Sequence, residues 1–155
     1  LILFIISCSN IEFVHKTSKK NDMLKSTSYI LSGDQKNIVI SELNKIIGKK
    51  QNEKFVLEIK ITETTTNEVV SSDSTTLKYK ISHMLIYTLK KPGGGCVIFK
   101  NKITTTTNYD SKSAGYNFGS DISKLKNTET NIKNNIRNFV KSTEVIDLNT
   151  CLNES

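Results

Sequence analysis

The most regular alternation in the chain runs from Leu77 to Leu89. Leu77, Tyr79, Ile81, His83, Leu85, Tyr87 and Leu89 share one face, and Lys78, Lys80, Ser82, Met84, Ile86 and Thr88 the other. A period of two predicts a strand, because successive side chains leave a strand on opposite faces. Pro92-Gly93-Gly94-Gly95 interrupts the pattern and predicts a hairpin turn. Cys96–Thr107 then returns as a strand rich in β-branched Val97, Ile98, Ile103 and four consecutive threonines. Upstream, Phe55, Leu57, Ile59 and Ile61 alternate with Val56, Glu58, Lys60 and Thr62, which predicts another half-buried strand. The polar, partly acidic stretch Thr64–Ser74 reads as a loop or a frayed strand end, and Leu24–Leu31 as a short first strand.

Two segments carry a helical period instead. Val39, Leu43, Ile46 and Ile47 form one stripe. Ser32-Gly33-Asp34-Gln35 stands before it, with Ser32 and Gln35 at capping-box spacing, and Gly48 after it as a stop. A helix over about Asp34–Ile47 follows. Ile122, Leu125, Ile132, Ile136, Phe139 and Val140 recur at helical spacing, predicting a second helix that begins by Ser120, or as early as Ser113. Asn108–Gly119 reads as a polar connection into it. The resulting fold class is α+β: a two-layer sandwich whose four-stranded, mostly antiparallel sheet carries two helices on one face, in the order β-α-β-β-β-α. Alternation defines the two sheet faces without saying which one the helices cover. The domain is expected over residues 24–141, with a tail over 142–155 that shows no clear period.

With 155 residues the chain suits one domain, and its hydrophobic fraction of 36% is concentrated in the patterned segments. Net charge is +7, from 22 basic against 15 acidic residues, and Arg137 is the single arginine. Such a balance suits nucleic acid, anionic lipid or a phosphorylated glycolipid. AT-rich coding DNA produces the same abundance of Lys, Asn and Ile, so charge alone selects no partner.

The first residues narrow the field. Leu1–Ile6 is an unbroken apolar run followed by Ser7 and Cys8. It is far too short to span a bilayer, which takes about 20 residues. It reads as the end of a secretory hydrophobic region with a small residue before the cleavage point. Ile5-Ile6-Ser7-Cys8 resembles a lipobox, so residues 1–7 are assigned to a lipoprotein signal peptide, Cys8 to lipidation and residues 8–23 to a lipidated tether. The competing reading is a buried first strand containing a core cysteine. Acyl chains partition at about 0.8 kcal/mol per buried methylene, and more than one chain makes anchoring stable. Ser9 rather than Asp beside Cys8 resembles the signal for onward sorting to the outer membrane. Cys96 and Cys151 remain; in an oxidising compartment they form a disulfide or stay as two separate thiols.

Catalytic patterns are poorly represented. The histidines are His15, in the tether, and His83, on the apolar face of its strand, where a hydrogen-bonded core or rim residue is expected. No Cys/His spacing suits a structural zinc, so no metal and no cofactor beyond the acyl anchor is expected. Gly93-Gly94-Gly95-Cys96 joins two strands rather than opening a helix, which favours a hairpin over a phosphate loop or nucleophile turn. Glu53, Glu58, Glu63, Glu68 and Asp73 read as solvated. Tyr79 and Tyr87 lie on the face opposite Lys78 and Lys80, so no platform for stacking bases is evident, and nucleic acid is not an expected partner.

Three stretches together resemble the lipopolysaccharide-assembly lipoprotein LptE family, particularly its shorter alphaproteobacterial-type forms, over roughly Leu24–Val140. The first is Gly33-Asp34-Gln35 leading into Val39, Leu43 and Ile47. The second is the long strand Leu77–Leu89 followed by a glycine turn. The third is Asn108-Tyr109-Asp110, then Ser113 and Tyr116, then Leu125, Ile132 and Ile136. Departures are Ser9, Asn10 and Ile11 after the cysteine, where Gly and an aromatic are usual, and Asn117, Leu125 and Thr128 where the family has small alanines. Ser71–Ser74 also lacks the basic residue with which some members bind lipopolysaccharide between their second and third strands. The resemblance implies a non-enzymatic, lipid-anchored, periplasm-facing outer-membrane protein. Its partners would be the β-barrel LptD, which it plugs, and lipopolysaccharide. Lipid A phosphates attract ammonium groups, and Lys78, Lys80 and Lys112 are the candidate contacts. Two competitors remain: an auxiliary lipoprotein of a lipid-transporting ABC system, and a secreted hydrolase, which would need a concave pocket holding titratable groups with shifted pKa.

Overall fold

The computed structural model describes residues 24–48, 53–70, 72, 76–93, 95–110 and 118–152. Its elements run β1 Thr27–Gly33, α1 Lys36–Ile47, β2 Phe55–Val70, β3 Thr76–Lys90, β4 Val97–Asp110 and α2 Phe118–Ser142, closed by a 3-10 turn at Thr143–Val145. The strands form one sheet in the order β1-β2-β3-β4. β1 pairs with β2 in parallel, from Thr27 opposite Phe55 to Gly33 opposite Ile61, because α1 carries the chain back between them. β2 with β3 and β3 with β4 are antiparallel. This is the α+β order read from the sequence, in an open sheet with both helices on one face.

Register settles which face that is. Leu57, Ile59 and Ile61 of β2 and Ile81, His83, Leu85, Tyr87 and Leu89 of β3 are all buried, and β4 adds Phe99 and Ile103 on the same side. Val39, Leu43 and Ile47 from α1 and Ile132, Ile136 and Phe139 from α2 close over them. Tyr87 stacks on Phe139 with ring centroids 4.1 Å apart. Lys78 and Lys80, at even positions of β3, therefore stand on the uncovered face.

Three sequence expectations change. β2 continues through Thr64–Val70, where the sequence reads as a loop or frayed end. Its ladder with β3 holds this half, running from Thr64 opposite Ser82 to Val70 opposite Thr76. Thr64–Glu68 are exposed on both faces, so the strand projects beyond the helical layer and needs no apolar residue there. Likewise β4 runs on to Asp110, so Asn108–Asp110 belongs to the sheet and not to a connection. The capping box also fails to form: Gln35 is the N-cap of α1, with φ 53° and no side-chain capping bond. Its amide instead donates to Glu63 Oε2 at 2.7 Å, while Asp34 Oδ2 accepts from the Glu63 backbone N–H at 2.9 Å.

Beyond α2 the chain stays packed. Thr143 is buried, the Leu152 N–H donates to the Val97 carbonyl at 2.6 Å, and Cys151 is disulfide-bonded to Cys96. The expected tail is thus fastened along the edge of β4 as far as the described residues extend.

Candidate functional site

The uncovered sheet face carries a set of lysines and hydroxyl groups. Alternation and register bring Lys60 of β2, Lys78, Lys80 and Lys90 of β3, and Lys100 and Lys102 of β4 onto it. Two of these have acidic partners: Lys90 Nζ lies 2.8 Å from Glu58, and Lys80 Nζ 3.6 Å from Glu68. Lys78 is exposed and sits opposite Asp110 in the ladder. The rest of the face is hydroxyl-rich: Thr62 and Thr64, Ser82, and Thr104 and Thr106, with Ser82 and Thr106 hydrogen-bonded at 2.7 Å. Sequence reasoning singled out Lys78 and Lys80 but missed Lys60, Lys100 and Lys102. Their shared parity was visible within each strand; the register that aligns the strands was not. Lys112 and Cys8 lie outside the described residues.

Beneath the face opposite, the inner layer holds a buried polar cluster that sequence reasoning largely missed. Glu63, expected to be solvated, has a side chain only 13% exposed and meets three partners. Gln35 donates to its Oε2 at 2.7 Å, Lys124 Nζ lies 2.9 Å from Oε1, and His83 Nε2 is 3.2 Å from Oε2. His83 itself is wholly buried. The Asn131 amide reaches His83 Nδ1 at 3.3 Å. Because an amide nitrogen can only donate, Nδ1 accepts and the neutral ring carries its hydrogen on Nε2, directed at Glu63. Asn131 also accepts from Thr107 Oγ1 and donates to the Ile81 carbonyl at 3.2 Å. One turn further along α2, Asn135 donates to the Ile103 carbonyl at 2.9 Å and accepts from the Tyr87 hydroxyl at 2.9 Å. These bonds satisfy polar groups whose burial would otherwise be costly.

The cluster explains a break in the helical stripe. Ile122 and Leu125, expected to face the core, are each 53% exposed, whereas Thr128, Asn131 and Asn135 face inward. Up to Asn131, α2 thus meets the sheet through Lys124 and the Asn131 amide rather than through apolar side chains. His83, Glu63 and Asn131 have the residue types of a catalytic relay. With the imidazole at 0% exposure and both nitrogens engaged, their geometry orders the layers and does not present a base to solvent. Among the described residues no group of three or more His, Cys, Asp or Glu is placed to hold a metal.

The same cluster sets a pH dependence. Burial holds His83 below its usual pKa, against the opposing pull of Glu63. Protonation at Nδ1 would also oppose the Asn131 donor with a second donor. Burial tends to raise Glu63, but the bonds from Lys124 and Gln35 outweigh it and hold the carboxyl below its ordinary value. Both folded pKa values lie below the unfolded ones, so in each window the unfolded chain binds the extra proton and stability falls as pH drops. Urea midpoints are expected to decline first as pH passes below about 6.5, and again below about 4.5. His83→Gln should remove the first decline only. A midpoint that stays flat between about pH 7.5 and 5 would contradict the assignment.

The fold defines a class: small two-layer α+β domains with an open mixed sheet. No family model matches the sequence, and no curated protein matches it. Solved structures do match the fold. A candidate lipoprotein of Caulobacter crescentus CB15 superposes with a TM-score of 0.65 at 13% identity, over 81% of this chain and 93% of that one. Rare lipoprotein B of Shewanella oneidensis gives 0.54 at 18% identity, over 77% and 96%. A minor lipoprotein of Acinetobacter baumannii gives 0.55 at 10% identity, over 77% and 90%. At these identities the likeness establishes a common fold.

Proposed function

We propose that the chain is an outer-membrane lipoprotein, anchored through Cys8 and facing the periplasm, that partners and plugs the LptD β-barrel and assists lipopolysaccharide assembly and transport to the outer leaflet. The observation that carries this reading is the fold likeness, which spans nearly the whole length of three proteins described as lipoproteins. Those likenesses were found independently of the lipobox-like Ile5-Ile6-Ser7-Cys8 and of the LptE-like order of motifs, and they support the same conclusion. The role is structural and binding, without catalysis, metal or cofactor. A polar, hydroxyl-rich sheet face suits a water-lined barrel lumen, and its lysines suit the phosphates of a glycolipid.

Binding of purified protein to lipopolysaccharide tests the glycolipid part. Lys78→Gln combined with Lys80→Gln should weaken binding by about tenfold at low ionic strength and much less at about 0.5 M salt, because salt screens exposed charges. Unchanged affinity at low salt would remove these two lysines from the site.

A further inference from the structure

The helix α2 is held to the domain unevenly along its length. From Ile132 onward it joins the shared apolar cluster through Ile132, Ile136, Phe139 and Val140. Before that point it does not. Ile122 and Leu125 point to solvent, and the buried Ile81 of β3, whose carbonyl Asn131 reaches, stands outside the cluster. Lys124, Thr128 and Asn131 turn inward instead, at the spacing that puts them on one helix face. Over residues 121–127 the grip on the sheet among the described residues is one ion pair. Lys124 Nζ lies 2.9 Å from Glu63 Oε1, and its side chain is 42% exposed.

Local sequence adds little to that grip. Asp121, Ser123, Asn127, Thr128 and Thr130 are all weak helix formers. Two of them also bond back onto the helix: the Asn127 amide donates to the Ser123 carbonyl at 2.9 Å, and the Thr130 hydroxyl to the Lys126 carbonyl at 2.8 Å. Bonds of this kind compete with the backbone ladder and loosen or bend it. A helix end built this way stays ordered only while its side chains are held from outside.

We propose that residues 118–127 are a conditional end of α2, which unlocks from the sheet as a unit while the rest of the domain stays folded, with the Lys124–Glu63 pair as its catch. Around Glu63 stand Lys124 of α2 with Asp121 near it, Asp34 and Gln35 before α1, His83 of β3 and Tyr109 of β4. Burial works against the ionised Glu63 carboxyl, but the bonds from Lys124 and Gln35 outweigh it, so the catch is closed at neutral pH and opens as pH falls below about 4.5. Asp34 holds the Glu63 backbone, so that bond survives the loss of the side-chain charge. Lys124 and Asp121 both act on the Tyr109 hydroxyl, which places the helix end beside that ring. Unlocking therefore uncovers the Tyr79–Tyr109 stack, with centroids 5.3 Å apart, on the inner face of the sheet. The device hides or presents an aromatic patch, and it depends neither on the lysine face nor on the barrel-partner reading.

The test is amide hydrogen exchange of the full chain, read residue by residue and corrected for the intrinsic rate at each pH. Residues 122–127 report on the catch, because the first four amides of any helix lack a helical partner. At pH 7 they should exchange at least about 100-fold faster than residues 132–140. Lys124→Gln should speed them about tenfold further, Lys124→Arg should restore their protection, and Lys126→Gln should leave it unchanged. At about pH 4 the unaltered chain should match the Lys124→Gln variant over residues 122–127, with 132–140 still protected. Equal protection along the whole helix at pH 7 would overturn the inference. So would loss of protection at 122–127 only in step with 132–140, or the same rates in the Lys124→Gln and Lys126→Gln variants.

Discussion

Replacing Gly33 with alanine is expected to destabilise the folded domain by about 3–5 kcal/mol, a large fraction of the stability of a small domain. Gly33 ends β1 with φ +95°, a backbone region that side chains other than hydrogen rarely adopt. A Cβ there would sit 1.9 Å from the Ile61 carbonyl oxygen. That contact is with backbone of the neighbouring strand, so no side-chain rotation relieves it. Relief would require pulling β1 from β2 at the point where Asp34 N–H bonds the same carbonyl at 3.3 Å and Asp34 Oδ2 receives Glu63. Gly48 supplies the internal control. It has φ 85° and ψ −163°, a nearly glycine-only region, but a Cβ there meets nothing within 4 Å, so Gly48→Ala should cost only the backbone term of about 1–3 kcal/mol. Urea unfolding of the two variants decides: equal costs would show that the β1–β2 approach is not as close as described.

Loss of the Cys96–Cys151 bond is expected to have an effect of similar size. The cysteines are 55 residues apart in sequence, and closing a loop of that length stabilises by about 4 kcal/mol on the chain-entropy view, or less where the reduced chain keeps structure. The bond also fixes the segment after α2 to the start of β4, beside the Leu152–Val97 hydrogen bond. Replacing both cysteines with serine should lower the urea midpoint markedly and speed amide exchange over residues 146–152, with β2 and β3 still protected. Identical midpoints with and without reductant would mean that the bond contributes nothing to stability.

Much of the architecture was legible because core strands and helices repeat their apolar residues at periods of two and 3.6. Ile81–Leu89 and Val39–Ile47 showed this plainly, and they lie where the two layers meet. Legibility failed where the layers stop meeting. Thr64–Val70 extends past the helices, so nothing selects apolar residues there, and only hydrogen bonding to β3 makes it a strand. It failed again where polar groups bury each other. Glu63 read as a solvated acid, and Asn131 and Asn135 stood outside the apolar stripe read for their helix. Each becomes an inward-facing residue only when His83, Lys124, Thr107 and Tyr87 are brought across from other elements. The lysine face lies between these cases. Lys78 and Lys80 were legible as one side of a strand. Lys60, Lys100 and Lys102 joined them only once the registers of β2 and β4 were known.

The most direct test of the proposed role is to extract the tagged full-length protein gently from membranes with mild detergent and identify by mass spectrometry what comes with it. A large outer-membrane β-barrel is expected in near-stoichiometric amount. Recovery with an inner-membrane ABC transporter, or without any partner, would contradict it.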